Sequence, residues 1–440
     1  MSGFKKFVRY LALAIGAGEW QKAALAERIA RSLNGDFPHA GKLAARLLFH
    51  FDKGMPPSSG QLIDFLGNEN LLHKFYGAQN DKRDPRILLD PPVMATLPQG
   101  MLTLPLPDLP TWKALRLWLG LFDGELAWFA DREGRQSGMT EAKLHHYHYR
   151  WTSKRSGAPR LIEIPKPRLK TIQRQILKEI LNHVPPHPGA HGFTRGRSGL
   201  TYVSPHLGKD VVLRMDLKDF FHSVPVPRIG ALFRHLGYPQ TVAYLLQGLC
   251  THTTSAALAG NDYQKLPWDS QKRLADKHLP QGAPTSPAIA NLCARGLDCR
   301  LQGLADRLGL DYSRYADDLA FSGSSKLASL APYLQGMVGA IALDEGFEIN
   351  HRKTRLRTQA QSQRLAGMVV NRRPNLSRAE YDRLKATLYN CVRFGPDSQN
   401  RQEITDFKSH LAGKIAYAAW LNPARGERLK SLWQRIQWPD

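Results

Sequence analysis

Tyr315-Ala316-Asp317-Asp318-Leu319-Ala320-Phe321 sets two adjacent acids between apolar, β-prone flanks. Such flanks around a polar pair predict a strand, a turn and a second strand, with both carboxylates at the tip of a hairpin. Upstream, Asp210-Val211-Val212-Leu213-Arg214-Met215-Asp216 predicts a buried strand that ends on a third acid, and Leu217-Lys218-Asp219-Phe220-Phe221 follows it. Two acids at a turn are ordinarily a solvated loop feature. Here the apolar flanks argue for burial, and carboxylates gathered inside a fold repel and lose hydration unless cations neutralise them. Magnesium, which takes carboxylate oxygens together with phosphate, is the natural counter-ion. Two such ions about 4 Å apart can activate an attacking hydroxyl and stabilise a leaving pyrophosphate.

The charge of the whole chain supplies a substrate for those ions. Among 440 residues there are 61 Lys and Arg against 38 Asp and Glu, a formal net charge of +23. An excess of that size calls for a polyanion, and nucleic acid is the first candidate. Hydrophobic residues make up 42% of the chain, too many and too evenly spread for a disordered protein. No run of about 20 uninterrupted apolar residues exists, which argues against a membrane partner. Cys250, Cys293, Cys299 and Cys391 form no C-x-x-C pair, so neither a zinc ribbon nor a disulfide scaffold is expected. The apolar stretch Leu11-Ala12-Leu13-Ala14-Ile15-Gly16 faintly imitates a secretion signal, but Arg9 interrupts it and an amphipathic run from Trp20 to Leu33 follows. A first structural helix and a cytoplasmic protein are the expectation.

Three regions follow along the chain. Residues 1–140 read as a helical N-terminal extension, with Leu25, Ile29 and Leu33, then Leu43, Leu47 and Leu48, at helical spacing. Within it, residues 77–110 form a proline-rich connector that excludes helix from most of its length. Thr111 caps a helix through Trp112, Leu115 and Trp118. Residues 141–370 mix strands and helices, and residues 141–180 hold ten Lys or Arg and three Glu, a net of +7. These charges alternate with Tyr147, Tyr149 and Trp151, the pattern of an electrostatic groove with stacking platforms for bases. His145, His146 and His148 lack an acid partner and read as surface or RNA contacts rather than metal ligands. Residues 371–440 are helical again, opened by a capping box at Ser377-Arg378-Ala379-Glu380 and broken at Pro423.

At this point the chain resembles a known family. Tyr-Ala-Asp-Asp at 315–318 is similar to the central motif of reverse transcriptases, and Asp216 with Phe220-Phe221 resembles their first palm motif. Between them, Leu279-Pro280-Gln281-Gly282-Ala283-Pro284-Thr285-Ser286-Pro287 resembles a further palm motif, followed by a helix through Ile289, Asn291 and Leu292. Arg160-Leu161-Ile162-Glu163-Ile164-Pro165-Lys166 and His191-Gly192-Phe193-Thr194-Arg195-Gly196-Arg197-Ser198 are similar to fingers blocks. Asn350-His351-Arg352-Lys353-Thr354 and Leu365-Ala366-Gly367 resemble the last palm motifs. The likeness covers about 145 to 435. Leu97-Pro98-Gln99-Gly100 repeats the tetrapeptide of 279–282 without a following helix or nearby acids, and reads as coincidence.

The block Tyr147-His148-Tyr149-Arg150-Trp151 with Lys154-Arg155-Ser156-Gly157 resembles bacterial retron reverse transcriptases of the long type with an N-terminal extension. Of the Asn-Ala-x-x-His that such enzymes often carry, Tyr202-Val203-Ser204-Pro205-His206 keeps the His. Where they often carry Val-Thr-Gly, this chain has Leu365-Ala366-Gly367. The resemblance implies an α+β right-hand polymerase: fingers and palm over 141–370, a helical thumb over 371–440 with a net charge of +6, and the helical extension before them. It implies that Asp216, Asp317 and Asp318 are catalytic and hold two Mg2+ ions. Arg160, Lys166, Phe221, Gln281, Gly282 and Lys353 would bind the incoming deoxynucleoside triphosphate. Phe221 would be the sugar gate and Lys353 a proton donor to pyrophosphate, while Phe220 is read as a core residue.

RNA contacts are implied at Arg195, Arg197 and His206, and further RNA recognition in the thumb and the Thr251–His278 insertion. The implied reaction copies a structured noncoding RNA into a branched, RNA-linked single-stranded DNA, in antiphage defence with an effector protein. Two rivals stand beside this reading. A group II intron-like or other defence reverse transcriptase is the first, and the intron type is expected to carry maturase or endonuclease segments after the thumb. The second is an RNA-binding scaffold or antitoxin with a vestigial polymerase site.

Overall fold

A computed structural model of the chain describes residues 3–16, 20–51, 57, 59–78, 93–122, 124–131, 134–139, 141–154 and 157–438. Pro85, Pro91 and Pro92 of the connector, and Arg155-Ser156, lie outside the described residues. Both α-helices and antiparallel sheets are present, as an α+β fold requires. The chain divides into two compact units, Met1–Pro185 with Phe221–Cys293, and Pro186–Phe220 with Ala294–Asp440.

In the first unit the apolar spacing of the N-terminal region becomes the helices Gly3–Gly16, Lys22–Ser32, Ala40–His50, Ser59–Gly67 and Asn70–Ala78. Phe7, Leu11, Ile15, Leu25, Ile29, Leu43, Leu47, Leu62, Leu66 and Leu72 close one core between them. The opening apolar stretch is therefore a packed helix. Thr111 Oγ1 accepts from the Ala114 amide at 3.0 Å and starts the helix Trp112–Trp118, a cap that contributes about 1 kcal/mol.

A hairpin follows, β1 (Tyr147–Lys154) paired antiparallel with β2 (Gly157–Pro165). Alternation along β1 turns Tyr147, Tyr149 and Trp151 to one face and leaves His148 and Arg150 exposed on the other. The aromatic face is covered. Leu161, Ala259, Tyr263 and Leu274 pack with Tyr149 and Trp151, and Trp151 Nε1 donates to the Ala259 carbonyl at 2.8 Å. These rings are thus packing residues, which corrects the expectation of free stacking platforms. Their cover is the Thr251–His278 insertion, folded as the short helices Ala256–Ala259, Asn261–Gln264 and Trp268–Ala275, with its ends joined by an antiparallel bridge between His252 and His278. His145 and His146 are 2% and 4% exposed, and His146 Nε2 lies 3.1 Å from the Trp128 carbonyl, so the surface expectation holds only for His148.

The second unit is built on four antiparallel strands: β3 (Val211–Asp216), β4 (Asp311–Tyr315), β5 (Asp318–Gly323) and β6 (Arg355–Thr358), in the order β4-β5-β3-β6. The helices Arg295–Leu308 and Lys326–Asp344 pack on this sheet. Ser377 and Glu380 form the capping box of the helix Arg378–Phe394, the Ser377 hydroxyl donating to Glu380 Oε2 at 2.6 Å. Phe407–Leu421 and Pro423–Trp433 complete a helical cluster around Leu384, Leu388, Leu411, Ile415 and Leu429. Pro423 stands in the first turn of its helix, where a missing amide hydrogen costs nothing. Among the described residues no helix is long and apolar enough to cross a membrane. All four cysteines are free thiols.

Candidate active site

The site is assembled at the end of β3. Val211 to Met215 are apolar and buried apart from Arg214, so the strand is held in the middle of the sheet and its last residue, Asp216, is only 3% exposed. Antiparallel register with β5 sets Asp216 directly opposite Asp318. The turn between β4 and β5 consists of Ala316 and Asp317, with Ala316 at φ 56°, a left-handed conformation that costs a non-glycine residue energy. The Leu217 amide donates to the Asp317 carbonyl at 2.8 Å and ties the turn to β3. Three carboxylates thereby share one end of the sheet.

Their electrostatics differ. Burial pushes the Asp317 carboxyl up to about 6, helped by the charges of Asp216 and Asp318. Asp318 is raised too, by burial first, against the opposing pull of Arg214. Arg214, two residues before Asp216 on the same strand face, donates to both Asp318 oxygens, with Nη2 at 2.6 and 2.8 Å. Lys353 reaches Asp216 from the short turn His351–Lys353, its Nζ 2.8 and 2.9 Å from the two oxygens. That turn is anchored by the Asn350 amide, which donates to the Asp216 carbonyl at 2.7 Å.

These donors suit magnesium. They are all carboxylate oxygens, the ligand type that hard cation selects, and Asp317 carries charge that its neighbours repel rather than neutralise. Asp317 is the readiest ligand, while Asp216 already gives both oxygens to Lys353 and Asp318 both to Arg214, so these two would share their carboxylates with a cation. Sequence reasoning missed that clamp. Its signal was a lone Arg inside an apolar strand.

A second support lies behind the turn. Gly189 and His191 bond to the backbone of Arg314 on β4, at 2.7 and 2.8 Å. This brings Gly192 so close that a Cβ there would stand 2.6 Å from the Ala316 nitrogen. Gly192→Ala is therefore expected to displace the Asp317 turn. A shift of about 1 Å lowers turnover by roughly 10²-fold, measured as DNA synthesis at unchanged melting temperature. Wild-type turnover would show that the turn tolerates the methyl group.

The remaining expected residues are placed as follows. Arg160 and Arg195 are exposed. Lys166 Nζ donates to the carbonyls of Ala142 and Lys143 at 2.8 and 2.9 Å. Gly282 has φ 137° and no room for a side chain, because a Cβ would meet the Glu163 carbonyl at 2.7 Å; the Gln281 carbonyl accepts from the Glu163 amide at 2.9 Å. Phe220 is buried and stacks on Phe347 at 5.7 Å, and Phe221 is half-buried.

Arg197 Nη1 donates to the carbonyls of His187, Pro188 and Ala190 and braces its own loop. One RNA expectation needs correction. His206 is fully buried, between Ser322 Oγ at 2.6 Å and Ser313 Oγ at 2.7 Å. Burial lowers its pKa to about 4, and the ring is a neutral packing residue of the sheet, out of reach of RNA.

Comparison with known proteins places these motifs. Residues 152–370 match the family described as reverse transcriptase (RNA-dependent DNA polymerase). The chain is 38% identical to the retron Mx65 reverse transcriptase of Myxococcus xanthus over 331 residues, 73% of this chain and 71% of the relative. It is 35% identical to the retron Mx162 reverse transcriptase of the same organism over 340 residues, 73% and 66% of the two chains. With the retron Ec86 reverse transcriptase of Escherichia coli it shares 31% over 233 residues, 52% and 64%.

Proposed function

Because the chain belongs to the bacterial retron reverse transcriptases and is an RNA-directed DNA polymerase, we propose that it copies a structured noncoding RNA into an RNA-linked, branched single-stranded DNA. The observation that carries the polymerase chemistry is the junction of Asp216, Asp317 and Asp318 across the β3–β5 pairing, on a chain of net charge +23. In this reading the right hand is made of fingers and palm over 141–370 and a thumb over 371–440. The protein works in the cytoplasm and serves antiphage defence with an effector protein.

Asp216 and Asp317 would hold two Mg2+ ions, with Asp318 assisting once Arg214 shares it. When bound, the ions lower the pKa of the attacking hydroxyl and offset charge on the triphosphate. The chain's own residues do the rest. A primer hydroxyl, or an internal 2′-hydroxyl at initiation, gives up its proton to water as it attacks the α-phosphorus, a new P–O bond forms and the bond to pyrophosphate breaks. Lys353, already beside Asp216, is the group that returns a proton to the departing pyrophosphate oxygen. Arg160 contributes an exposed positive charge to the triphosphate, which stabilises charge as it develops. Gln281 and Gly282 present backbone to the nascent base pair. Basic thumb helices hold the duplex through its phosphates, without reading sequence.

Phe221 is the sugar gate in this proposal, because a ring under the sugar leaves no room for a 2′-hydroxyl. Phe221→Ala should raise ribonucleotide incorporation relative to deoxynucleotide by about 10-fold or more, the scale of discrimination a filled pocket provides. An unchanged sugar preference in single-nucleotide extension would remove Phe221 from the role. Sequencing the nucleic acid that copurifies with the chain tests the product. Branched RNA–DNA is expected, and linear RNA alone would favour a scaffold.

A further inference from the structure

Glu163, His222 and His278 form a second cluster of ligand-type side chains, in the unit that does not hold the three aspartates. One ligand atom from each lies within 4.8 Å of the others. Glu163 shares the inward face of β2 with Leu161 and Pro165 and is 0% exposed; His278 is 1% exposed and His222 half-buried. A carboxylate at such depth is unstable without a cation beside it.

The hydrogen bonds around Glu163 leave a place for that cation. Thr254 Oγ1 donates to Glu163 Oε1 at 2.7 Å. The Tyr149 hydroxyl accepts from the Ser255 amide at 3.0 Å, so its own proton points to His252 Nε2 at 2.9 Å. His252 Nε2 is thus an acceptor and cannot serve Glu163, which lies 3.9 Å away. His278 Nδ1 is 2.7 Å from the Asp276 carbonyl, and a carbonyl only accepts, so Nδ1 carries the ring proton. His278 Nε2 stands 3.0 Å from Glu163 Oε2, close enough for both atoms to face one cation. A positive species belongs between them, and the nearby ring of His222, 5.0 Å from that of His278, supplies a third donor that a bare proton would not use.

We propose that Glu163, His222 and His278 bind one divalent zinc ion that holds their three segments together, its fourth position filled by water. Two imidazoles and one carboxylate are a zinc donor set, and their nitrogen content disfavours magnesium and calcium. The bond from His278 Nδ1 to a backbone carbonyl is the outer support that ligating histidines characteristically have. Thr254 orients the carboxylate in the same way. Half-exposed His222 is the side from which an ion enters.

The consequence lies in what the three ligands join. Glu163 is three positions from both Arg160 and Lys166, His222 follows Phe221, and His278 precedes Gln281 by three. The centre therefore staples together the segments assigned above to the deoxynucleotide; this consequence rests on the proposed polymerase reading, whereas the metal site does not.

The test uses the full, untagged chain. After purification and desalting, elemental analysis should find about one zinc per chain, and cobalt added to the stripped protein should develop visible d–d absorption. His222→Ala and His278→Ala should each reduce bound zinc to below roughly a fifth of wild type, and a zinc-selective chelator should lower the melting temperature of wild type but not of His222→Ala. Asp317→Ala should keep its zinc, which separates this proposal from the polymerase assignment. Wild-type protein without zinc or cobalt bands, the result expected if a protonated His278 alone neutralises Glu163, overturns the proposal. Equal zinc in wild type and both His variants overturns it as well.

Discussion

Replacing Asp317 by Ala should lower DNA synthesis by about 10³-fold or more, a loss of roughly 4 kcal/mol of transition-state stabilisation, and leave RNA binding near its wild-type level. The two effects should separate because Asp317 sits at the tip of the β4–β5 turn, while the basic residues expected to hold RNA phosphates are spread over the chain. Stability should not suffer. Burial, with Asp216 and Asp318 nearby, raises the Asp317 carboxyl to about 6, above its unfolded value. An acid raised in this way destabilises the fold when ionised at neutral pH, so its removal relieves repulsion. The melting temperature of the variant should be equal to or above that of wild type. Unchanged synthesis would discard the metal assignment, and lost synthesis with a lower melting temperature would assign the loss to misfolding.

Asp298→Ala carries the second large effect, and it falls on stability. Asp298 and Arg314 are both 0% exposed and bond as a fork, Nε to Oδ1 and Nη2 to Oδ2, each at 2.7 Å. Tyr312 adds a hydroxyl donor to Asp298 at 2.8 Å. Removing the acid strands a guanidinium inside the unit. Breaking such a pair costs about 3–5 kcal/mol, a large share of the roughly 5–15 kcal/mol that holds a protein folded. The midpoint of urea denaturation should drop accordingly. Asp298→Leu with Arg314→Met should recover most of the loss, because an apolar pair of similar volume carries no stranded charge. A single variant as stable as wild type would show that water reaches Arg314. Synthesis should suffer even in the stable double variant, since Arg314 Nη1 also donates to the Ala316 carbonyl at 2.9 Å and supports the strained turn.

Elements written in local pattern were legible. The helices of the N-terminal region, the cap at Thr111, the capping box at Ser377 and the hairpin around Asp317 each depend on residues a few positions apart. The roles of single polar side chains were not legible in the same way. Tyr147, Tyr149 and Trp151 alternate with charges as stacking platforms would, yet a covering insertion makes them packing residues. His206 and Arg197 carry the chemistry of RNA contacts, and one is sealed between two serines while the other braces a loop.

The amino-acid order by itself determined where strands and helices begin, which face of each is apolar, and that three acids end up in apolar settings. Tertiary structure alone decided the partners: Arg214 for Asp318, Lys353 for Asp216, Arg314 for Asp298, and His278 for Glu163, which are 115 positions apart. Hydrophobic periodicity is a property of neighbours along the chain. A charge's partner is a property of strand register and loop closure, and a long-range contact of either kind leaves no periodic trace to read.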